Sequence, residues 1–267
     1  MKKAVRISAF QFFSAIVLII AGILVLFPLY VTFMKSLQGA GFANYGNALG
    51  KVNLFRNLLN SVIVVGLTLI GTVTVCSLSA FAFSKLHFPG KNAAFLLLMT
   101  GMMLPTSATI FPLFTIIKFL GLVNNPVSQV FPYITGNAIF GLLLLKIYYD
   151  GLPNDMMEAS RIDGASSWQI FTRVMLPVSL PGLSILIVNT FMAAWNELQI
   201  AITFISKPQY MTMAAIPVQF ASSAGSSRKI PGELMAVLIM CIIPVVLVYI
   251  FAQKLIINGM TAGAVKG

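Results

Sequence analysis

The charged side chains able to do chemistry in this chain concentrate in one stretch. From Pro153 to Pro177 it reads PNDMMEASRIDGASSWQIFTRVMLP, the one long polar interruption among apolar runs. Glu158, Asp163 and their neighbours suit ion pairing with another surface, and no nucleophile stands beside a histidine. Elsewhere Glu197 follows Trp195 and Asn196 at the end of an apolar run, and an acid within a membrane span is a candidate path or gating group. From Val178 to Glu197 is 19 residues, about 28 Å of helix, so Glu197 is expected near the outer boundary, where an interfacial structural role is the alternative. Asn189 and Asn196, seven residues apart on one face, and Asn137 are further candidates to line a translocation path. Catalysis is not expected. There is no G-x-x-x-x-G-K-[ST] phosphate loop and no G-x-S-x-G elbow, His87 is the only histidine, and Cys76 and Cys241 lie in apolar runs as small core residues. The sequence therefore assigns the chain no enzyme activity, no metal site and no cofactor of its own.

Two short helices are expected to position the polar stretch. Pro153 suits an N1 position, where its missing N–H costs nothing, and Asn154, Asp155 and Glu158 lie near the positive end of that helix dipole. Gly164 breaks the run. Ser166 and Gln169 have capping-box spacing for a second helix, whose apolar face would be Trp168, Phe171, Val174 and Met175, opposite Gln169, Thr172 and Arg173. The segment thus offers one face to its own membrane domain and another to a partner.

The rest is a membrane protein. Of 267 residues 58% are hydrophobic and only 9% charged, with mean hydropathy +0.95, beyond what a water-soluble domain shows. Charge-free runs long enough to cross a bilayer predict an all-α protein with six transmembrane helices at 10–34, 57–84, 92–118, 127–148, 178–204 and 234–255. The basic start, with Lys2, Lys3 and Arg6, precedes a run too long for a signal peptide, so it is expected to remain as the first span. With the N-terminus inside, ten basic residues fall on the inner side and seven on the outer, as the positive-inside rule asks. The net charge of +11 is accordingly read as headgroup-level Lys and Arg against membrane lipid, with no nucleic acid partner. Gly39, Gly41, Gly46 and Gly50 suggest a flexible outer connection from Lys35 to Arg56, and the Ser/Gly-rich segment from Ser206 to Gly232 is long enough to meet an outer partner. Pro105, Pro112, Pro126 and Pro132 suggest broken helices along a path.

Glu158-Ala159-Ser160, then Asp163-Gly164-Ala165, then Leu176-Pro177 resemble the EAA loop of ABC importer permease subunits, departing only by Ser160 for a second Ala. The ending from Gly259 to Gly267 and the WNEL stretch at Trp195 to Leu198 are similar to the maltose-type carbohydrate permeases, on the side of their smaller permease subunit. This resemblance implies a type I ABC importer permease fold over 1–267 as one transmembrane domain, with the EAA loop at 150–177 carrying cytoplasmic coupling helices. It also implies a bacterial inner-membrane site with both termini cytoplasmic. The partners implied are a second permease subunit, two ABC ATPase subunits that use ATP and Mg, an extracytoplasmic solute-binding protein and a carbohydrate substrate. Glu158 would contact the ATPase; an intrahelical pair with Arg161, and an ordinary C-cap at Gly164, are the plainer alternatives. A permease for amino acids, polyamines or phosphate, or an ion-driven transporter, stays open as an alternative function.

Overall fold

The computed structural model describes residues 9–223 and 231–264. In chain order the helices are α1 (Ala9–Ser36), α2 (Ala43–Lys51), α3 (Leu54–Lys85), α4 (Lys91–Thr100), α5 (Thr106–Phe119), α6 (Val130–Asp150) and α7 (Asp155–Ile162). They continue with α8 (Ser167–Ile170), α9 (Leu176–Val178), α10 (Leu180–Asn196), α11 (Gln199–Phe204), α12 (Ile216–Ser223) and α13 (Pro231–Ala264). A π-helical turn, Phe171–Met175, joins α8 to α9, and no strand occurs among the described residues. Lys2, Lys3, Arg6, Arg228, Lys229 and the last three residues of the tail, with Lys266, lie outside the described residues.

Four stretches are long and apolar enough to cross a membrane unbroken: Phe12–Ser36, Leu54–Lys85, Pro126–Asp150 and Gly232–Ile250. Six spans are reached when each of two bent pairs counts as one. The expected straight span at 92–118 is instead Lys91–Met103 and Ser107–Phe119, at 102° to each other. Pro105 is the cause. A residue before proline is pushed out of the helical region, and Leu104 sits at φ −82°, ψ 116°, with Pro105 itself extended at ψ 137°. The span expected at 178–204 is also corrected: α10 stops at Asn196, and α11 is a separate short helix.

The chain forms two compact units, Met1–Val52 with Phe220–Ile242, and Asn53–Gln219 with Ile243–Gly267. In the first, the connection expected to be flexible contains α2. Asn44 Nδ2 donates to Ser36 O and Gln38 O, both at 2.8 Å, which fixes the turn between α1 and α2. The α2 end is tied to the start of α13 by the Lys51–Glu233 ion pair. α1 keeps nearly all of its large apolar side chains exposed, as a span facing lipid or a partner would.

The second unit is built on α3, α6 and α10. Along α3 the buried residues Ser61, Val65, Thr68, Thr72, Cys76 and Ala80 recur at helical spacing and are mostly small. Small side chains let backbones approach, which is what drives packing between helices that gain nothing from leaving lipid. At Gly141 of α6 three helices meet closely, since a Cβ there would lie 2.5 Å from Cys76 Sγ of α3 and 2.7 Å from Leu186 Cδ1 of α10. The buried cluster extends from this junction through Leu145 and Tyr149 to Met157, Ile170, Phe171 and Met175, so one core runs from the spans into the polar stretch.

Candidate functional site

The segment between α6 and α10 is an ordered pair of helical pieces. Helix α7 begins at Asp155, so Pro153 lies outside it rather than at N1. Asn154 is the N-cap by its backbone, its carbonyl accepting from Met157 N at 2.8 Å and Glu158 N at 3.0 Å, while its side chain caps nothing. The far end is a Schellman motif: Ala165 N donates to Ser160 O and Gly164 N to Arg161 O, each at 3.0 Å. Gly164 holds φ +81°, a left-handed conformation that a side chain disfavours. The chain then reverses into the expected capping box, with Gln169 N donating to Ser166 Oγ and Ser166 N to Gln169 Oε1.

Past Ile170 the helix widens. Leu176 N donates to Phe171 O, a five-residue step. Pro177 explains the widening, because its ring would collide with the carbonyl four residues back and it has no N–H to give. Most of the expected faces hold, with Phe171 and Met175 inward and Gln169 and Arg173 outward, while Trp168 turns out and Ile170 joins the buried side. Ile170, Phe171 and Met175 are buried, Val174 is half-buried, and Trp168 stays 62% exposed beside the Phe171 ring. Phe171 in turn packs on Phe81 of α3, with ring centroids 5.3 Å apart. Ser167–Val178 meets Leu180–Asn196 at 75°, with only Ser179 between them.

The residues singled out in this loop separate into two faces. Met157 is buried, Ala165 and Leu176 pack on the core, and Ser160 is half-buried with its hydroxyl donating back to Met156 O at 2.7 Å. Glu158, Ala159, Asp163, Gly164 and Pro177 are exposed, and Glu158 makes no ion pair with Arg161 among the described residues. Ile162, at 86% exposure, adds an apolar side chain to that outward face. Four of the six acids of the chain, Asp150, Asp155, Glu158 and Asp163, fall within this short stretch.

The path candidates are not gathered in one place. Glu197 has a structural task. Its carboxylate accepts from Ile200 N at 3.0 Å and Ala201 N at 3.3 Å, capping α11, and lies 3.0 Å from the hydroxyl of buried Tyr133. The same hydroxyl is 2.9 Å from Gln129 Oε1, so its one proton serves the carboxylate when the amide is turned to donate. Asn137 donates to Tyr133 O and Asn196 to Met192 O, each within its own helix, while Asn189 is exposed on α10. A cavity of about 440 Å³ opens where α4 breaks into α5, lined by Gly101, Leu104, Thr109, Pro132, Thr135 and Ile139 among others. None of Asn137, Asn189, Asn196 or Glu197 lines it. Sequence reasoning missed Tyr133 and gave Lys85 no role beyond a basic flank of its span; the partners of both lie far away in the chain.

The fold and the loop define a membrane permease component, and comparison with known proteins agrees. The family described as binding-protein-dependent transport system inner membrane component matches residues 73–262, and this chain belongs to it. It is 36% identical over 211 residues to the trehalose/maltose transport system permease protein MalG of Thermococcus litoralis, covering 79% of this chain and 75% of that one. It is 27% identical over 271 residues to the diacetylchitobiose uptake system permease protein NgcG of Streptomyces coelicolor, covering 96% and 89%. A crystallised bacterial ABC transporter involved in import of the polysaccharide alginate shares the fold, with a TM-score of 0.76 at 22% identity over 95% of this chain and 99% of that one. The chain is thus a multi-pass inner-membrane permease subunit of the type I ABC importer fold, a transport component rather than an enzyme.

Proposed function

We propose that this chain, acting as one permease domain over 1–267, carries an oligosaccharide across the inner membrane. In this reading it pairs with a second permease subunit and two ATPase subunits and receives its cargo from an extracytoplasmic solute-binding protein. The observation that supports the cargo is agreement among relatives: those at 36%, 27% and 32% identity are named for trehalose/maltose, diacetylchitobiose and trehalose. The loop at 150–177 is the ATPase contact, facing the cytoplasm with both termini. Its outward face of Glu158, Ala159, Ile162 and Asp163 docks in a groove of the ATPase; its inward face of Met157, Ile170 and Phe171 carries the motion to the spans. ATP and Mg are held by the ATPase, and ATP binding favours the outward-facing state. Asn137, Asn189, Asn196 and Glu197 are the polar groups offered along the path, Glu197 acting through the α11 cap.

Purification of the wild-type chain from its native membrane, beside Glu158→Ala, tests this. The wild type is expected to bring along a phosphate-loop ATPase and a second permease, and Glu158→Ala to hold the ATPase about ten-fold more weakly. Recovery of this chain alone from a folded, monodisperse wild-type sample overturns the docking. Uptake of labelled amino acid in preference to labelled disaccharide overturns the cargo.

A further inference from the structure

At the inner end of α3 a charged side chain is used where water would ordinarily receive it. Lys85 is only 8% exposed, although a lysine at a span end has a stem long enough to reach solvent. Its Nζ instead donates to Leu152 O and to Asn154 Oδ1, both at 2.8 Å. Those two oxygens belong to the turn that launches α7. One residue earlier, Ser84 Oγ donates to Asp150 Oδ1 at 2.6 Å, and the other oxygen of Asp150 takes Lys146 Nζ at 2.7 Å. Lys91 Nζ closes the α3 side by donating to Ser84 O and Leu86 O. The same contact also bears on Asn154. An asparagine at an N-cap ordinarily gives its side-chain oxygen to its own helix, yet here that oxygen is turned away to the ammonium of Lys85.

We propose that Lys85 is a positioning residue for energy coupling, a strut that makes α3 move with α7. The inference rests on the reading that α7 docks on an ATPase. A largely buried ammonium resists separation from its oxygens, because separation leaves the charge with fewer hydrogen bonds where the side chain has little access to water. The turn at 152–154 therefore cannot slide past the end of α3 while Lys85 is present, and displacement of α7 is passed to the span that forms the centre of the second unit. Without it, the loop remains packed through Met157 and Phe171 but its leading edge is free.

The test uses the assembled importer in proteoliposomes and measures sugar transported per ATP hydrolysed for wild type, Lys85→Met, Lys85→Arg and Asn154→Ala. Lys85→Met is expected to assemble with its ATPase as the wild type does and to lower the ratio about five-fold or more. Lys85→Arg, whose guanidinium reaches both oxygens, restores at least half of it. A purely structural role lowers yield and leaves the ratio of each assembled complex alone. A ratio for assembled Lys85→Met within about two-fold of wild type overturns the proposal. Should Lys85→Met not assemble, Asn154→Ala, which removes one acceptor from an exposed position, decides it by the same ratio. Failure of the wild type to bind any ATPase is read before any variant is compared, and overturns the docking reading and with it the coupling role of the strut, whereas an unchanged ratio in an assembled Lys85→Met complex overturns the strut alone.

Discussion

At the scale of residues, the site is carried by a few positions whose geometry permits no ordinary substitute. Gly164 is the plainest. Nothing lies within 4 Å of where its Cβ would stand, so an alanine there meets no clash and pays only for φ +81°. That conformation costs an L-residue about 1 kcal/mol or more. Gly164→Ala is therefore expected to open the Schellman turn about five-fold more often, read as faster amide exchange in a peptide covering 160–166, while melting of the whole protein barely shifts. Gly164→Asn should fall between, since asparagine tolerates the left-handed region. Unchanged exchange in the alanine variant would mean that the turn already opens freely. This glycine and the capping pair Ser166 and Gln169 were legible in the sequence because each acts on a backbone a few residues away. The partners of Lys85, Glu197 and Tyr133 were not, since their contacts span 64 to 69 residues and exist only once helices have packed.

At the scale of elements, apolar length predicted where helices run but not where they turn. Pro105 and Pro177 were visible; that one would bend a span by 102° and the other widen a turn depends on what packs beside them. Trp168 shows the difficulty. Periodicity of 3.6 put it on the buried face with Phe171 and Met175; those two are buried, but Trp168 is exposed and Ile170 takes the inward place. The α3–α6–α10 junction is where the core shared with the loop meets the spans, and it admits a test. Gly141→Val places atoms where Cys76 Sγ and Leu186 already stand, and such overpacking costs about 1 to 3 kcal/mol. In a Cys241→Ser background the variant is expected to melt several degrees lower in detergent and to expose Cys76, which is fully buried in the parent, to a small maleimide. A variant as stable as its parent, with Cys76 still protected, would show that the helices do not meet there.

At the scale of the whole molecule, the question is on which side of the membrane the energy enters. In the proposed function the drive comes from an ATPase, and the polar stretch at 150–177 is the surface offered to it. The sequence suggests an orientation through charge: the basic residues divide ten to seven in favour of the proposed inner side, a small bias. The fold shows what holds the other end of the second unit. Asn124 Oδ1 accepts from Ser206 N and Lys207 N, and Asn57 and Asn60 donate to carbonyls of 208–211, so the end opposite the loop is pinned by amide side chains without an exposed acidic face. If the acidic loop is the cytoplasmic end, single cysteines introduced in a background lacking Cys76 and Cys241 will label accordingly. Lys207→Cys is expected to react with a membrane-impermeant maleimide in cells whose inner membrane is intact, and Asp155→Cys only after that membrane is permeabilised. The reverse pattern would put the loop outside, away from any ATP, and would remove the ground for coupling through α7 at a stroke. Equal labelling of both before permeabilisation would point to a chain inserted in two orientations, which a charge bias this small makes worth excluding by placing the two cysteines in the same assay.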